Sequence, residues 1–242
     1  MKRVILAVLF LISTSLAAEK AKPEKLALSF EGKTRTYYVF VPDGLGQSAP
    51  MLLLLHGSGR NGMSQIDPWK DFAAKDGIIL VAPDSSDSGY WNQKADSPDF
   101  IHAVVEAARS KYPVDPRRMY LFGHSAGAVY ALYLAVVQSE YFAATAVHAG
   151  SLQQSDFGII DVAARKMPIA IWVGTADPFF SLTNVRATRD AFNSRGFSVQ
   201  LTEIPGHDHN YYAIAPKINP AIWDFLKASA LPSDPSWREY RK

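Results

Sequence analysis

The fold of this chain is decided by one stretch, Met119-Tyr120-Leu121-Phe122-Gly123-His124-Ser125-Ala126-Gly127-Ala128. An apolar run ends at Gly123, and small and apolar residues at helical spacing then continue to Val137. This change predicts a strand, a sharp turn and a helix, with Ser125 at the turn. Because so tight a turn leaves no room for flanking side chains, the pattern G-x-S-x-G has glycine at positions 123 and 127. The turn would hold the Ser125 hydroxyl clear of the sheet, within reach of a base and a substrate carbonyl.

The rest of the chain alternates strand-like and helix-like segments. Leu26–Phe30 and Thr36–Val41 alternate with period two and predict an antiparallel hairpin at a sheet edge. Six later segments are apolar without alternation, as strands covered by helices on both faces are. These are Met51–Leu55, Ile78–Ala82, Met119–Phe122, Ala143–Val147, Ile169–Val173 and, more weakly, Val199–Ile204. The prediction is an α/β fold with a mostly parallel, doubly wound sheet of about eight strands, flanked by helices and without a large lid domain.

Helices are predicted between these strands. Asp67-Pro68 predicts a helix to about Lys75, and Ser97-Pro98 predicts one to about Tyr112, because each pair has a capping side chain before a proline at the first helical position. The remaining predicted helices are Ala126–Val137, Thr183–Arg195 and Ile218–Ala230.

The N-terminus has the three parts of a secretory signal peptide: a basic start, an apolar core over residues 4–12, and small residues before Ala17 and Ala18. The apolar core is too short to span a bilayer. We therefore expect residues 1–18 to be cleaved after Ala17 or Ala18, leaving a secreted or periplasmic protein with no stable membrane anchor.

Composition narrows the function classes. Without Lys2 and Arg3, 23 basic residues balance 23 acidic residues, so nothing predicts binding to nucleic acid. The absence of cysteine excludes disulfides and thiolate metal sites. No linker or repeat interrupts the chain, so residues 19–231 are predicted to form one catalytic domain, followed by a C-terminal tail over residues 232–242.

Two strand exits carry the residues that a serine nucleophile needs. In an open parallel sheet, ligands bind outside the carboxyl ends of the strands. Asp177 follows the strand Ile169–Val173, and His207 and His209 follow the strand Val199–Ile204. The chain order of serine, aspartate and histidine is typical of a Ser-His-Asp triad on an α/β sheet, which needs no metal or cofactor.

A third strand exit is rich in glycine. Residues 56–62, His-Gly-Ser-Gly-Arg-Asn-Gly, follow the strand Met51–Leu55 and are called here the glycine-rich loop. We expect the backbone N–H groups of Ser58 and Ala126 to form an oxyanion hole, because Ala126 follows the nucleophile and begins a helix. A phosphate cradle is the alternative interpretation, but the loop lacks the Lys-Ser/Thr pair at the required spacing.

These motifs together resemble the α/β-hydrolase superfamily, and within it the secreted serine esterases grouped with poly(3-hydroxybutyrate) depolymerases and feruloyl esterases. The resemblance extends from about Leu26 to Leu226. It is carried by Arg35-Thr36-Tyr37 running to Pro42, by Leu54-Leu55-His56-Gly57, by Val114-Asp115-Pro116-Arg117-Arg118, by the G-x-S-x-G turn, and by Gly174-Thr175-Ala176-Asp177.

The resemblance implies that His209 is the catalytic base. Such esterases commonly carry Pro-Gly-x-x-His, and the S-formylglutathione hydrolase branch carries Gly-x-Asp-His-x-Tyr-Tyr; both patterns align their histidine with His209. His207 stays open as the alternative base, since one loop could present either. Ser58 stands where the depolymerases often have cysteine, which weakens the polymer assignment more than the esterase assignment.

Other polar residues have mainly structural interpretations. His124 is expected to pack, His56 to brace the glycine-rich loop, and His102 to lie on a helix surface. His148 is a candidate cleft residue, and the carboxylates Asp84 and Asp208 are alternative triad acids.

Aromatic residues near the strand exits are candidates for the walls of a substrate pocket. Tyr90 and Trp91 follow a flexible segment, and Phe179 and Phe180 follow Asp177. The alternative is that these side chains only pack the loops.

The sequence therefore predicts a secreted serine carboxylesterase that hydrolyses small or polymeric esters, of feruloyl, acetyl or hydroxyalkanoate type, through an acyl-enzyme on Ser125. Two other functions stay open: a serine peptidase of the prolyl-oligopeptidase type, and a binding protein with a hydrolase fold that has lost its chemistry.

Overall fold

A computed structural model describes residues 21–239 and contains one eight-stranded sheet. Its strands are β1 Glu24–Phe30, β2 Lys33–Phe40, β3 Ala49–Leu55, β4 Ile79–Pro83, β5 Val114–His124, β6 Ala144–His148, β7 Ile169–Gly174 and β8 Val199–Ile204. The spatial order is β1-β2-β4-β3-β5-β6-β7-β8. Strand β2 runs antiparallel to both β1 and β4, and the other neighbours are parallel. The predicted mostly parallel sheet with an N-terminal hairpin is confirmed.

Within residues 21–239, six α-helices and one 3-10 helical segment lie between or after the strands. They are α1 Gly62–Ile66, α2 Lys70–Asp76, α3 Pro98–Lys111, α4 Ala126–Val137, the 3-10 segment Gln154–Val162, α5 Leu182–Asn193 and α6 Tyr211–Lys227.

Both faces of the central sheet are buried. Every residue of β3 is buried, and successive side chains point into two different apolar layers. Leu53 belongs to the layer that contains residues of α3, α4 and α5, whereas Leu54 belongs to the layer that contains residues of α2 and α6. This two-sided burial explains why the central strands are apolar without alternation.

The start of the first predicted helix was wrong. Asp67 is not an N-cap; it is the C-cap residue of α1. Asn61 caps α1 instead, and its side-chain oxygen accepts the Ser64 N–H at 3.0 Å. Helix α2 begins only after Trp69, which is fully buried and packs against Phe122 at a ring separation of 5.3 Å. Burial of Trp69 decides where the chain turns, and this contact is invisible in the local sequence.

The start of the last helix was also wrong. Helix α6 begins at Tyr211 rather than Ile218 and contains Pro216 and Pro220. Each proline removes one backbone hydrogen bond from the helix. Tyr211 is fully buried, and its hydroxyl donates to the side-chain oxygen of Asn219 at 2.8 Å. Tertiary packing of the first turns therefore outweighs the local preference against helix. By contrast, the predicted cap of α3 is confirmed, because the Ser97 Oγ accepts the Phe100 N–H at 3.3 Å.

Trp237 and Arg238, near the end of the described residues, pack on the body of the molecule. The Gln138 side chain exchanges two hydrogen bonds with the backbone of Arg238, and the Trp237 indole N–H donates to Asp99 at 3.1 Å. The predicted signal peptide, residues 1–18, lies outside the described residues. Within residues 21–239, no helix is long and apolar enough to cross a membrane.

Candidate active site

Ser125 occupies the turn between β5 and α4 in a backbone conformation that side chains rarely adopt, with φ of 57°. The flanking glycines make this turn sterically possible. A Cβ on Gly123 would lie 2.2 Å from the Gly127 carbonyl oxygen, and a Cβ on Gly127 would lie 2.1 Å from the Leu55 carbonyl oxygen. Both distances are far below van der Waals contact, so the G-x-S-x-G pattern is a packing requirement between β3, β5 and α4.

Three side chains form one hydrogen-bonded relay at the carboxyl edge of the sheet. The Ser125 Oγ lies 2.9 Å from His209 Nε2, and His209 Nδ1 lies 2.8 Å from Asp177 Oδ2. The Asp177 side chain is fully buried, while the His209 side chain is 20% exposed. The second carboxylate oxygen of Asp177 accepts the backbone N–H groups of Phe179 and Phe180 at 2.8 and 3.0 Å. These bonds fix the carboxylate, which in turn fixes the imidazole.

The loops that carry the acid and the base are joined through their backbones. The Ala176 N–H donates to the His207 carbonyl oxygen at 2.9 Å, and the Gly206 N–H donates to the Thr175 hydroxyl at 2.8 Å. A Cβ on Gly174 would lie 2.0 Å from the same His207 oxygen, so only glycine allows this approach. The two loops therefore behave as one unit that sets the distance from Asp177 to His209.

The alternative base and acids make other contacts. His207 packs against His148 at a ring separation of 5.4 Å, and in the described part of the chain no hydrogen bond joins it to Ser125. Asp84 accepts the Gly62 N–H at 2.7 Å, and Asp208 accepts the Asn210 N–H at 2.8 Å. Among the described residues, His209 thus contacts Ser125 and Asp177 contacts His209, whereas none of the three alternatives is hydrogen-bonded to Ser125 or His209.

The glycine-rich loop lies directly beside Ser125. A Cβ on Gly57 would lie 3.3 Å from the Ser125 Cβ, and Ser58 lines the same cavity as Ser125. Among the residues that the structure describes, the backbone N–H groups of Ser58 and Ala126 donate to no protein acceptor. They are therefore available for an oxygen of a bound ester.

The segment of residues 84–96 holds the glycine-rich loop in place. The Trp91 indole N–H donates to the His56 carbonyl oxygen at 2.9 Å, and the Ser85 N–H donates to His56 Nε2 at 3.1 Å. The remaining ring nitrogen, Nδ1, then carries the proton and donates to the Gly57 carbonyl oxygen at 2.9 Å. Trp91 also stacks on Tyr130 of α4 at a ring separation of 5.3 Å. The loop is therefore fixed by side chains far from it in sequence.

A buried ion pair anchors the 84–96 segment itself. Asp96 is fully buried and lies 2.6 Å from the Arg35 guanidinium of β2. The same carboxylate accepts the backbone N–H groups of Ser86 and Asn92 at 2.7 and 2.8 Å. Removing one partner of such a pair leaves a buried charge and typically costs about 3–5 kcal/mol. Arg35 is one of the residues that carried the family resemblance, but its role in supporting the site could not be read from the sequence.

Two buried histidines lie behind the relay. His124 Nδ1 lies 3.1 Å from His148 Nδ1, and the His124 ring lies 4.9 Å from the His209 ring. Burial lowers the pKa of His124 to about 3 and the pKa of His148 to about 2. Both rings are therefore neutral at physiological pH, and no charge on them opposes a proton on His209.

The cavity that Ser125 lines, the proposed catalytic cavity, has a volume of about 630 Å³. Of the four predicted pocket aromatics, Phe179 lines this cavity and forms a T-shaped pair with His209 at a ring separation of 4.8 Å, while Phe180 stacks on His209 at 5.8 Å. Trp91 is only 7% exposed and lies beneath the glycine-rich loop, and Tyr90 is 52% exposed. Neither is among the described residues that line the cavity. The loop-packing alternative therefore describes Trp91. Tyr90 is exposed and does not form a wall of this cavity.

Two further side chains in the cavity wall were not selected from the sequence. Arg60 and Tyr212 both line the cavity, and the Arg60 guanidinium lies 4.8 Å from the centre of the Tyr212 ring. Arg60 belongs to the glycine-rich loop and Tyr212 to the His-x-Tyr-Tyr pattern, so both positions carried a signal. Within residues 21–239, no group of three or more His, Asp or Glu side chains is arranged to hold a metal ion.

A protein-family comparison identifies the chain at this point. The family model Esterase, described as "Putative esterase", matches residues 29–242. The chain belongs to this esterase family. The match confirms the predicted membership, and it supports the predicted class, a carboxylic ester hydrolase.

Curated relatives of this chain include proteins named as acetylxylan and feruloyl esterases. The chain is 25% identical over 187 residues to a bifunctional acetylxylan esterase/xylanase of Neocallimastix patriciarum, covering 74% of the chain and 27% of the relative. It is 30% identical over 127 residues to feruloyl esterase C of Emericella nidulans, covering 49% of the chain and 47% of the relative. The chain thus spans less than half the length of these two relatives.

Solved structures share the fold of this chain. The fluorophosphonate-binding serine hydrolase F of Staphylococcus aureus has a TM-score of 0.73 and 16% identity, covering 86% of this chain and 99% of that one. The ferulic acid esterase of Anaeromyces mucronatus has a TM-score of 0.70 and 16% identity, covering 90% and 93%. An acylaminoacyl peptidase of Pyrococcus horikoshii is also similar, with a TM-score of 0.69 and 13% identity over 92% of this chain and 44% of that one. These matches confirm the predicted α/β-hydrolase fold, which esterases and peptidases share.

Proposed function

We propose that this chain is a serine carboxylesterase that hydrolyses carboxylic esters through an acyl-enzyme on Ser125. One observation carries the proposal: the Ser125 hydroxyl, the His209 imidazole and the buried Asp177 carboxylate lie in one relay with separations of 2.9 and 2.8 Å. A serine hydroxyl is a weak nucleophile unless an adjacent base takes its proton, and this relay supplies the base and its orienting group.

Acylation begins when the Ser125 Oγ attacks the ester carbonyl carbon and its proton moves to His209 Nε2. The carbonyl π electrons move to the oxygen, and the N–H groups of Ser58 and Ala126 would stabilise the negative charge there. The C–O bond to the alcohol then breaks, and His209 Nε2 returns the proton to the departing oxygen. Asp177 accepts a hydrogen bond from His209 Nδ1 throughout and stabilises the imidazolium.

Deacylation repeats these steps with water as the nucleophile. His209 takes a proton from the water, whose oxygen attacks the acyl carbon. The bond to the Ser125 Oγ breaks, the serine regains its proton from His209, and a carboxylic acid leaves.

The proposed substrates are esters of feruloyl, acetyl or hydroxyalkanoate type, small or polymeric. The relatives named feruloyl esterase and acetylxylan esterase support the first two. The hydroxyalkanoate type rests only on the sequence resemblance. We also propose that the protein is secreted or periplasmic, because residues 1–18 have the composition of a cleaved signal peptide.

The test is turnover of p-nitrophenyl acetate, p-nitrophenyl butyrate and methyl ferulate beside a set of aminoacyl p-nitroanilides. We expect turnover of the esters and little of the anilides. Ser125→Ala should lower ester turnover by about 10⁴- to 10⁶-fold without unfolding the protein. Ser110→Ala, which changes an exposed serine of α3, is the matched control and should retain full activity.

Two results would defeat the proposal in different ways. A preference for the anilides would indicate a peptidase, which the shared fold permits. A folded protein that turns over neither substrate class would indicate a binding protein.

A further inference from the structure

One cation in the wall of the proposed catalytic cavity has no acceptor in the protein. Arg60 lines this cavity together with Ser125 and His209. Its guanidinium lies 4.8 Å from the centre of the Tyr212 ring, and among residues 21–239 it donates no hydrogen bond and forms no ion pair. The contact with the ring therefore leaves the N–H donors of the guanidinium unused.

The lack of an acceptor distinguishes Arg60 from the other arginines. Every other arginine in the part of the chain that the structure describes donates at least one hydrogen bond to a protein oxygen. Even Arg186, whose side chain is 49% exposed, donates twice to Glu203 at 2.7 Å. Because the unpaired arginine is the one that lines the cavity, we expect its partner to be a molecule that binds there.

The other charged residue in the cavity wall does not neutralise Arg60. The Asp208 carboxylate accepts the Asn210 N–H at 2.8 Å and lies 3.8 Å from His207 Nδ1, so it is held on its own loop. The ring of His124, which also lines the cavity, is neutral because burial lowers its pKa to about 3. The positive charge of Arg60 is therefore not balanced by a contact within the wall, and it favours an anion.

A carboxylate is the anion that the guanidinium of Arg60 fits in an ester substrate. The planar fork of N–H groups matches the two oxygens of a carboxylate, and both bonds are charge-assisted. Arg60 lies two residues after Ser58, whose N–H is proposed to bind the ester carbonyl oxygen, and both residues line the same cavity of about 630 Å³. An ester with its carbonyl at Ser125 therefore lies in a cavity that also offers a cation to a second, anionic group.

We propose that Arg60 determines specificity for esters that carry a carboxylate, which its guanidinium binds while the ester carbonyl lies at Ser125. The proposal rests on the esterase function above. The same chemistry serves a carboxylate on the acyl portion or on the alcohol portion of the ester, and the test separates the two.

The first test uses two pairs of esters, each matched in shape and different in charge. For the alcohol portion, 4-acetoxybenzoate is compared with 4-acetoxybenzamide. For the acyl portion, monomethyl terephthalate is compared with methyl 4-carbamoylbenzoate. The measured quantity is the ratio of kcat/KM for the carboxylate ester to kcat/KM for its amide counterpart, in wild-type protein and in variants whose fold is checked by circular dichroism.

Three variants separate charge, geometry and position. Arg60→Gln should lower the ratio about tenfold for at least one pair, mainly through KM, because the charge-assisted bonds of a partly exposed site are lost. Arg60→Lys keeps the charge without the fork and should lower the ratio about threefold. Arg186→Gln makes the same change of net charge at a residue that does not line the cavity, and it should leave the ratio unchanged.

The second test changes the ionic strength. Raising the NaCl concentration from about 0.05 M to about 0.5 M screens the attraction between exposed charges. It should lower the ratio in wild-type protein and have a much smaller effect in Arg60→Gln. An equal effect of salt in both proteins would show that the ratio does not depend on Arg60.

Each result decides a separate statement. If wild-type protein hydrolyses neither these esters nor p-nitrophenyl acetate, the proposed function fails and the role of Arg60 fails with it. If the esters are hydrolysed but Arg60→Gln leaves both ratios unchanged, Arg60 does not bind a substrate carboxylate, even if kcat falls equally for all of them. An equal fall of the ratio in Arg186→Gln would also overturn the proposal. A fall confined to Arg60→Gln supports it, and the pair affected identifies the portion that carries the carboxylate.

Discussion

The two sides of the catalytic cavity are held in place by different means. The nucleophile turn and the acid and base loops are fixed by backbone atoms that pass within contact distance of glycines 123, 127 and 174. The glycine-rich loop is fixed by side chains of the 84–96 segment, above all Trp91, and that segment is held by the Arg35–Asp96 ion pair. The first kind of support leaves a local signature in the sequence, whereas the second depends on pairs of residues up to 61 positions apart.

The largest effect is expected where backbone contact allows no side chain. In Gly127→Ala, the new Cβ would lie 2.1 Å from the Leu55 carbonyl oxygen and 2.7 Å from the His56 carbonyl oxygen. We expect a loss of at least about 3 kcal/mol in the free energy of unfolding, or no folded protein, measured by urea denaturation and circular dichroism. Gly46→Ala is the control, because nothing lies within 4 Å of its Cβ position. Equal stability of the two variants would contradict the packing account of the nucleophile turn.

The two histidines of one loop give the next largest contrast. His209→Gln removes the base that lies 2.9 Å from the Ser125 Oγ and should lower kcat by about 10⁴- to 10⁶-fold. His207→Gln keeps the backbone carbonyl that accepts the Ala176 N–H, so its kcat should stay within about tenfold of wild type. Steady-state kinetics with p-nitrophenyl acetate measure both. The reverse order of effects would make His207 the base.

These outcomes bear on how far the sequence could predict the site. The G-x-S-x-G turn, the Asp177 exit and the chain order of the triad follow from local patterns, because backbone packing demands particular residues there. The choice of His209 over His207 needed the family resemblance or the coordinates, since one loop carries both.

The remaining features depend on tertiary contacts and were beyond local reasoning. The sequence suggested that Trp91 forms a pocket wall, yet its N–H reaches the His56 carbonyl and its ring is buried. The start of α6 at Tyr211 depends on burial of that side chain beside Asn219, against the preference of Pro216. In each case a contact between residues distant in sequence determines the local structure, and the neighbouring residues alone do not predict it.

A smaller effect on kcat is expected on the side of the cavity that the glycine-rich loop forms. Trp91→Phe keeps the ring stack but removes the N–H that holds the His56 carbonyl, so the glycine-rich loop should hold its donors less firmly. Losing an oxyanion donor outright costs about 10²- to 10³-fold, and a loosened loop should lower kcat by about tenfold with KM little changed. Trp237→Phe removes an equivalent indole N–H, bonded to Asp99 away from the cavity, and should leave kcat unchanged. An effect of the same size in both variants would contradict the claim that the Trp91 N–H holds the glycine-rich loop in place.

The smallest effect concerns His124 and His148, the buried histidine pair behind His209. Because burial lowers the pKa values of His124 and His148 to about 3 and about 2, the unfolded chain binds protons below pH 6.5 that the folded chain cannot. The stability that their neutral state contributes is therefore full above about pH 6.5 and is lost as the pH falls toward the folded values. His148→Asn should flatten the dependence of unfolding free energy on pH between 6.5 and 4.5 by up to about 1.4 kcal/mol per pH unit. Urea denaturation across that range measures the slope, and an unchanged slope would place the pKa of His148 near its ordinary value.

The relay itself is tested most directly by the mass of the protein after reaction with a fluorophosphonate. The account predicts one adduct per chain, located on the peptide that contains Ser125, abolished in Ser125→Ala and strongly slowed in His209→Gln. A folded wild-type protein that stays unmodified, or that carries its adduct on a different residue, would contradict the assignment of Ser125 as a nucleophile activated by His209 and Asp177.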